Sequence, residues 1–242
     1  MNIALIGYGK MGKEIEKIAI SEGHQIVCKV DEYNADSEFE KLHLADVAIE
    51  FSSPQSAYEH VLKCFSLHIP VVCGSTGWNE NLEIAINKCR KEDQAFFYAS
   101  NFSLGVHIML KASAQLAELM EGRKEYKLSI EEIHHLQKKD FPSGTAISIA
   151  EAIIRNSEME NWNAILGNDE SNINEKTIPI ISKRIEGIPG THKVLYSSEI
   201  DTIELIHTAH NRKGFAIGAL RAASWLQGKK GFFGMDDMIT TK

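Results

Sequence analysis

Residues 131 to 146 read EEIHHLQKKDFPSGTA, which places His134, His135, Lys138 and Lys139 together and Pro142-Ser143-Gly144-Thr145 directly after them. A histidine titrates near neutral pH and is a natural proton donor where a reduction leaves an anion to be protonated. Hydroxyls and backbone N–H groups at a helix start suit a carboxylate, and neighbouring cations strengthen such a site. The stretch therefore has the makings of an anion trap with a proton source beside it. Each member also has a plain structural reading: a histidine pair at a strand end is often hydrogen-bonded framework, and Ser143 with Thr145 can simply cap a helix. It is the concentration of such groups that favours chemistry for the set. Adjacent histidines on a continuing strand face opposite ways, so one of the pair enters a given pocket unless the strand has ended by His135. Arg212, between the last expected strand and the final helix, can add a fixed positive charge to the substrate pocket or form an interdomain salt bridge. A metal site using His207 and His210 is a third reading. Three residues apart on one strand they face opposite sides, and no Cys or HExxH partner accompanies them, so no metal is expected.

A second constellation lies at the start of the chain. GYGKMG at 7 to 12 is GxGxxG, it follows an apolar run, it opens a helical pattern, and Asp31 stands about 20 residues further on. Gly7 suits the tight turn, Gly9 the close approach of a pyrophosphate, and Gly12 the packing of helix on strand. The helix N-terminus supplies N–H groups and partial positive charge to the phosphates. Asp31 can accept hydrogen bonds from a ribose 2′-hydroxyl and repels a 2′-phosphate, and Glu32 adds a second negative charge. NADH is accordingly expected over NADPH; Lys10 either offsets part of this repulsion, which keeps NADPH use open, or is a solvated lysine at a helix start. Phe51-Ser52-Ser53, Gly74-Ser75-Thr76-Gly77 and Ala99-Ser100-Asn101-Phe102 fall at further strand ends, where doubly wound sheets bind ligands.

The elements that must hold these groups follow from the apolar pattern. Ile3 to Ile6, Gln25 to Val30, Val47 to Phe51, Val71 to Cys73 and Ala95 to Tyr98 read as strands. Between them lie helices over Met11 to Glu22, from Ser52-Ser53-Pro54 onward, and near Glu80 to Glu92, with a polar connection from Asp31 to about Leu44. After Asn101 the rhythm changes. A helix over Val106 to Met120 precedes strands over Tyr126 to His134, Thr177 to Arg184, His192 to Ser197 and Thr202 to Thr208, with one helix among them at Ala146 to Asn156. EGIPGTH, with Gly187, Gly190 and His192, reads most simply as a hairpin turn, with a pocket role as the less favoured alternative, and Asn156 to Lys176 as a polar surface connection. The last helix, Phe215 to Leu226, has no strand of its own and is placed against the first domain or across the junction. The fold class expected is α/β: an N-terminal Rossmann-type parallel sheet plus a central α+β domain with an open mixed sheet.

Composition narrows the class. The 242 residues are 43% apolar and 24% charged, which argues against disorder, collagen and a disulfide scaffold. No apolar run reaches membrane-spanning length, since Phe215 to Leu226 is interrupted by Arg221, and no secretory leader pattern is seen; a cytoplasmic enzyme without a membrane role is expected. The four cysteines, Cys28, Cys64, Cys73 and Cys89, lie in apolar stretches without a CxxC pair and read as reduced thiols. A net charge of −7 gives no general basic field for nucleic acid, so a pocket for an anion must supply its own positive charge.

GYGKMG, GSTGW, SNFSLGV, EIHHLQKKDFPSGTA, GTHKVLY and NRKGFAIGALRAASWL occur in the order seen in the dihydrodipicolinate reductase family, which the chain resembles over nearly its whole length. The resemblance implies an NAD(P)H-dependent oxidoreductase of diaminopimelate and lysine biosynthesis, acting on a cyclic dicarboxylate. It implies a dinucleotide-binding domain of residues 1–103 and 211–242, completed by the C-terminal helix. Residues 104–210 would form a substrate-binding domain whose open sheet builds a homotetramer. By motif, His134 resembles the family's proton donor/acceptor and Lys138 its second proton donor, while His135, Gly144 and Thr145 match the substrate-carboxylate positions, with Ser143 and Arg212 beside them. Gly7, Tyr8, Gly9, Lys10, Met11 and Gly12, together with Gly74, Ser75, Thr76, Ala99, Ser100, Asn101 and Phe102, match cofactor positions, and Asp31 and Phe51 join them from the strand-end reading. Two departures stand out: Phe141 replaces the usual Ala before the proline, and Glu32 stands where a basic residue often follows the acidic ribose ligand. A second enzyme reading is another two-domain amino-acid-pathway dehydrogenase, for instance one acting on aspartate or its semialdehyde; a semialdehyde dehydrogenase needs an activated Cys, for which Cys73 in an apolar strand is poorly placed. An NADH-sensing regulator needs a DNA-binding module that this acidic chain does not visibly contain.

Overall fold

The alternation of apolar runs and helical stretches in the first hundred residues folds as five strands of a six-stranded sheet. The structure, a computed structural model, describes residues 1–166, 174–211 and 213–240. The chain divides into two units, Met1–Leu104 with Lys213–Lys242, and Gly105–Arg212.

In the first unit, β1 (Asn2–Ile6), β2 (Gln25–Val30), β3 (Val47–Glu50), β4 (Val71–Cys73), β5 (Ala95–Tyr98) and β11 (Gly231–Phe233) lie in the order β11-β5-β4-β3-β1-β2, each neighbouring pair parallel. Successive side chains of a strand point to opposite faces. Ile3, Leu5, Val47, Ile49 and Phe97 pack on one side with Ile15 and Ala19 of α1 (Lys10–Ser21) and Ala216, Ala219 and Leu226 of α7 (Lys213–Leu226). Ala4, Ile6, Ala48, Val71 and Phe96 pack on the other with Val61 and Phe65 of α3 (Ala57–Ser66) and Ala85 and Ile86 of α4 (Asn79–Lys91). Burial on both faces is why these strands read as continuous apolar runs. The chain crosses from β2 back past β1 to β3, so the carboxyl ends of β1 and β3 flank a topological switch point, where open α/β sheets bind ligands.

The final helix belongs to this unit. A Cβ at Gly218 would lie 1.8 Å from the Phe102 carbonyl oxygen, so α7 rests backbone against backbone on the chain that leaves β5. It is followed by elements the sequence reading did not include, β11 on the edge of the sheet beside β5 and α8 (Met235–Thr240). The stretch read as a polar connection contains α2 (Ala35–Phe39) and a 3-10 turn at Leu42–Leu44, anchored by fully buried Leu42. The helix expected from Ser52-Ser53-Pro54 begins only at Ala57. The hydroxyls that look like caps are taken elsewhere, Ser52 Oγ by the Glu50 carboxylate and Ser53 Oγ by Ser56 Oγ at 2.7 Å.

In the second unit, β10 (Thr202–Ala209), β9 (Gly190–Ser197), β6 (Lys127–His134), β8 (Thr177–Arg184) and β7 (Asn161–Leu166) form a sheet in the order β10-β9-β6-β8-β7. β9 runs antiparallel to both its neighbours, whereas β6, β8 and β7 are parallel, so the sheet is mixed. Strand β7 lies inside the stretch read as a surface connection; residues 167–173 of that stretch are outside the described residues. Leu128, Ile130, Ile178, Ile180 and Val194 pack with Met109 of α5 (Leu104–Met120) and Ile149 and Ile153 of α6 (Gly144–Ile154). On β6 the buried phase is Leu128, Ile130, Glu132, His134: the last two places of a core-facing row are taken by an acid and a histidine. The opposite phase carries Glu131, paired to Lys183 and, at 3.5 Å, to Lys193.

Among the described residues no helix is long and apolar enough to cross a membrane. The four cysteines are free and buried.

Candidate active site

The turn after β1 meets three backbone demands of a dinucleotide cradle. Gly7 has φ +95°, and a Cβ there would lie 2.1 Å from the Phe51 carbonyl oxygen. Gly12 needs its missing side chain for a different reason, because a Cβ would lie 2.4 Å from the Gly7 carbonyl oxygen and force α1 off the strand. Gly9, the N-cap of α1, faces open space, with no atom within 4 Å of a Cβ placed there. The first turn of α1 contains no acidic residue, so nothing opposes an anion at the helix N-terminus. This geometry fits the pyrophosphate of a nicotinamide dinucleotide.

Around the cradle the other candidate positions lie at strand ends. Asp31 follows β2, and its Oδ1 accepts the N–H groups of Tyr33 (2.9 Å) and Asn34 (3.1 Å) while Asn34 Oδ1 accepts the Asp31 N–H at 2.8 Å. One carboxylate oxygen is thus fixed by the turn, which leaves Oδ2 for a ligand. Tyr8 donates its hydroxyl to Glu16, itself paired with Lys29 at 2.6 Å; Lys10 is exposed, and Met11 packs on the α1–α7 layer. Phe51 presents its carbonyl to Gly7 and its ring to Gly74, where a Cβ would lie 2.2 Å from the ring. Ser75 Oγ accepts the Ser52 N–H at 2.8 Å, and Thr76 and Ser100 are exposed. Asn101 Oδ1 accepts the Ser103 N–H at 2.8 Å. Ala99 and Phe102 are buried, and the Phe102 ring packs on Phe51 at 5.5 Å and Phe97 at 5.9 Å, so it has only backbone to offer a ligand.

The second constellation centres on the end of β6. Glu132 is fully buried; its Oε2 is hydrogen-bonded to His134 Nδ1, and its Oε1 accepts Arg184 Nη1 at 2.9 Å from the neighbouring strand. Burial pushes the Glu132 carboxyl up, and hydrogen bonds from His134 and Arg184 outweigh that, bringing it down to about 2. An ionised carboxylate can only accept, so His134 Nδ1 carries the hydrogen and Nε2 is the ring atom able to exchange a proton with a ligand. A Cβ at Gly190 would lie 3.0 Å from that Nε2, so this glycine makes room for the ring. Arg184 also donates Nη2 to the Asp140 carbonyl at 2.7 Å and Nε to the Lys138 carbonyl at 3.4 Å. One guanidinium therefore positions the partner of His134 and the loop that carries Lys138. Lys138 Nζ pairs with the Asp140 carboxylate at 2.8 and 2.9 Å.

Helix α6 begins at this point. Ser143 is its N-cap, buried, accepting the Ala146 N–H at 3.2 Å, and its Oγ is 3.0 Å from His192 Nε2. His192 stands opposite Glu132 in the β6–β9 register, its ring edge-on to His134 with centroids 5.1 Å apart. Gly144 is exposed, with no atom within 4 Å of a Cβ placed there, and Thr145 is half-buried. β6 ends at His134, so His135 has left the strand; its Nδ1 and that of His192 are buried polar atoms without a hydrogen-bond partner among the described residues. Of these two histidines, His192 reaches the start of α6 through its Nε2 contact with Ser143. Arg212 lies outside the described residues.

Three members were not singled out in the sequence: Glu132, Arg184 and His192, the last set aside as part of a turn. The signal available for Glu132 was its phase, a charged residue in the apolar alternation of Leu128, Ile130 and His134. Burial, with repulsion from His134, pushes His192 down to about 3. The unfolded chain protonates this ring near pH 6.5, the folded one only near 3, so stability is intact above pH 6.5 and is lost as pH falls from there. Between pH 6 and 5 the group should remove about 1 kcal/mol per pH unit. Urea unfolding across that range is expected to show a shallower pH slope for His192→Asn than for the unsubstituted protein; equal slopes would show the ring to be protonated in the fold.

Among the described residues no group of three or more His, Cys, Asp and Glu side chains could hold a metal ion. Burial pushes the Cys73 thiol well above its usual range, the wrong direction for a nucleophile.

A parallel sheet with a glycine-rich turn at its switch point, joined to a unit that gathers a histidine, a lysine and a capped helix start, defines a nicotinamide-nucleotide-dependent dehydrogenase. Within that class the chain belongs to the dihydrodipicolinate reductase family: residues 1–102 match the family model described as dihydrodipicolinate reductase, N-terminus, and residues 105–239 the one described as dihydrodipicolinate reductase, C-terminus. It is 48% identical over 241 residues to the 4-hydroxy-tetrahydrodipicolinate reductase of Christiangramia forsetii, covering 99% of this chain and 98% of that one. The corresponding protein of Staphylococcus aureus is 33% identical over 250 residues, covering 98% and 100%. The dipicolinate-bound dihydrodipicolinate reductase of Paenisporosarcina sp. TG-14 shares the fold with a TM-score of 0.78 at 24% identity, covering 98% of this chain and 99% of that one.

Proposed function

We propose that the chain reduces 4-hydroxy-tetrahydrodipicolinate to tetrahydrodipicolinate with NAD(P)H, in the diaminopimelate route to lysine, as a cytoplasmic homotetramer. The observation that carries this reading is the Glu132–His134 pair beside the start of α6, in a family member 48% identical to a reductase of that name. When bound, NAD(P)H supplies the hydride. Exchanging a hydroxyl for hydrogen in this way releases water and consumes one proton, so the site must hold an acid. His134 Nε2 and Lys138 Nζ are the acids we assign, with Lys138 leaving Asp140 as the dianionic substrate enters. Ser143, Gly144, Thr145 and His135 receive a substrate carboxylate at the N-terminus of α6. Gly7 to Gly12, Phe51, Gly74 to Thr76 and Ala99 to Phe102 hold the cofactor, the last through its backbone.

The test is loss of NADH absorbance with the product of dihydrodipicolinate synthase generated in the same cuvette, repeated with NADPH. Turnover supports the assignment; no turnover with NADH binding intact moves the substrate to another dicarboxylate. The fixed Asp31 carboxylate, with Glu32 beside it, favours NADH. Asp31→Ala is expected to narrow the ratio of kcat/KM for NADH over NADPH by about tenfold, near 1.4 kcal/mol. An unchanged ratio would remove Asp31 from the ribose site.

A further inference from the structure

Strand β3 ends in a carboxylate where its core-facing row should carry an aliphatic side chain. Glu50 shares the phase of Ala48, faces the α3 side of the sheet and is fully buried. Its Oε1 accepts the Ser52 N–H at 2.9 Å and the Ser52 hydroxyl, with His60 Nδ1 3.6 Å away on α3. Its Oε2 accepts the Cys73 thiol at 2.9 Å from the end of β4. The same residue's main chain takes the Gly74 N–H at 2.9 Å, and the Ser52 N–H is shared with Ser75 Oγ. Between these anchored points stands Phe51, whose carbonyl occupies the place of a Gly7 side chain and whose ring occupies that of Gly74.

A buried carboxylate carries a desolvation penalty of several kcal/mol unless its partners offset it. An apolar residue would serve the core of β3 without that penalty. Burial pushes the Glu50 carboxyl up, and hydrogen bonds from His60, Cys73, Ser52 and Ser75 more than offset it, so the group stays ionised. The partners are not spread through the core. Ser52 and Ser75 lie in the turns after β3 and β4, Cys73 is the last residue of β4 and His60 comes from α3, so three of the four sit at the carboxyl ends of β3 and β4, the edge at which a dinucleotide lies.

We propose that Glu50 is a positioning residue for the cofactor cradle: one buried carboxylate sets the β3 and β4 turns against each other and, through Phe51, sets the height of the Gly7 turn. The role rests on the cofactor reading above. Glu50 touches no ligand itself, so its loss acts on the geometry of binding and not on proton supply.

The experiment is NADH titration by fluorescence, with urea unfolding and steady-state kinetics, on unsubstituted protein, Glu50→Gln and Ser52→Ala. Glu50→Gln keeps the shape but turns one acceptor into a donor facing the Ser52 N–H and hydroxyl. It is expected to raise the NADH Kd, and the KM for NADH, about tenfold or more. The kcat at saturating NADH and the KM for the second substrate should stay within about twofold. Ser52→Ala removes one donor from an exposed turn, cannot unfold the core, and is expected to weaken NADH binding severalfold, which keeps the test open if Glu50→Gln does not fold. A Glu50→Gln protein that binds NADH as the unsubstituted one does overturns the proposal, as does one in which kcat and the unfolding midpoint fall while both KM values rise together. Unsubstituted protein that fails to bind NADH defeats the cofactor reading and this inference with it.

Discussion

His134→Gln is expected to bind NADH with nearly unchanged Kd and to lose about two to four orders of magnitude in kcat, the usual contribution of a positioned acid or base. Glutamine can still hydrogen-bond to Glu132, so the strand end and the Arg184 contact survive, but no atom at that place can donate and regain a proton. Glu132→Gln is the companion measurement. It removes the charge that fixes the hydrogen on Nδ1 and leaves Nε2 to carry it in some molecules, so kcat should fall by about tenfold or more, with the alkaline limb of the pH–rate profile displaced. Steady-state kinetics with saturating NADH, beside a direct NADH titration, separates the two substrates. Loss of NADH binding in His134→Gln would remove this residue from the proton step and return it to the framework.

The second expectation concerns two alanines three residues apart. Gly9→Ala introduces a methyl that meets no protein atom within 4 Å, at a negative φ of −81°, so the folded protein should lose no more than the roughly 1 kcal/mol of a poorer N-cap residue. On the cofactor reading proposed above the methyl enters the space of the pyrophosphate, and NADH affinity should fall by about a hundredfold or more, near 3 kcal/mol. Gly12→Ala places a methyl 2.4 Å from the Gly7 carbonyl oxygen, so α1 must move and stability falls as well, by about 1–3 kcal/mol for an overpacked contact. Urea unfolding and NADH fluorescence on the same two proteins give the pattern: affinity lost with little change in stability in the first, affinity and stability lost together in the second. A Gly9→Ala protein that binds NADH normally would show that the turn cradles nothing.

Much of this is legible in the sequence. The first β-α-β unit announces itself because each local signal agrees: an apolar run, glycines where backbone meets backbone, then a helical row of Ile15, Ile18 and Ala19. Strand β7 was hidden because only Ile165 of its six residues is buried, so an edge strand reads as a loop. β11 is three residues long and shows no period at all. The start of α3 was misjudged because Ser52 and Ser53 have the right side chains for caps, and nothing local reveals that Glu50 and Ser56 occupy them. His134, Lys138 and Ser143 could be found by their clustering. Glu132, Arg184 and His192 act through pairings across three strands, and a pairing between residues 52 apart in the chain, such as Glu132 with Arg184, has no local signature.

The way α7 and β11 complete the first sheet has a consequence for synthesis. Ile3, Leu5, Val47 and Ile49 leave the ribosome early, yet Ala216, Ala219 and Leu226, which cover them, are translated after the entire second unit. At roughly 5–20 residues per second that is a delay on the order of ten seconds. The second unit is contiguous and can fold in the meantime, while the nascent first half waits with one greasy face uncovered and one sheet edge unpaired. Such a half-built sheet is what chaperones shield and what aggregates when they do not. The chain is thus finished in an order different from the one in which it is written.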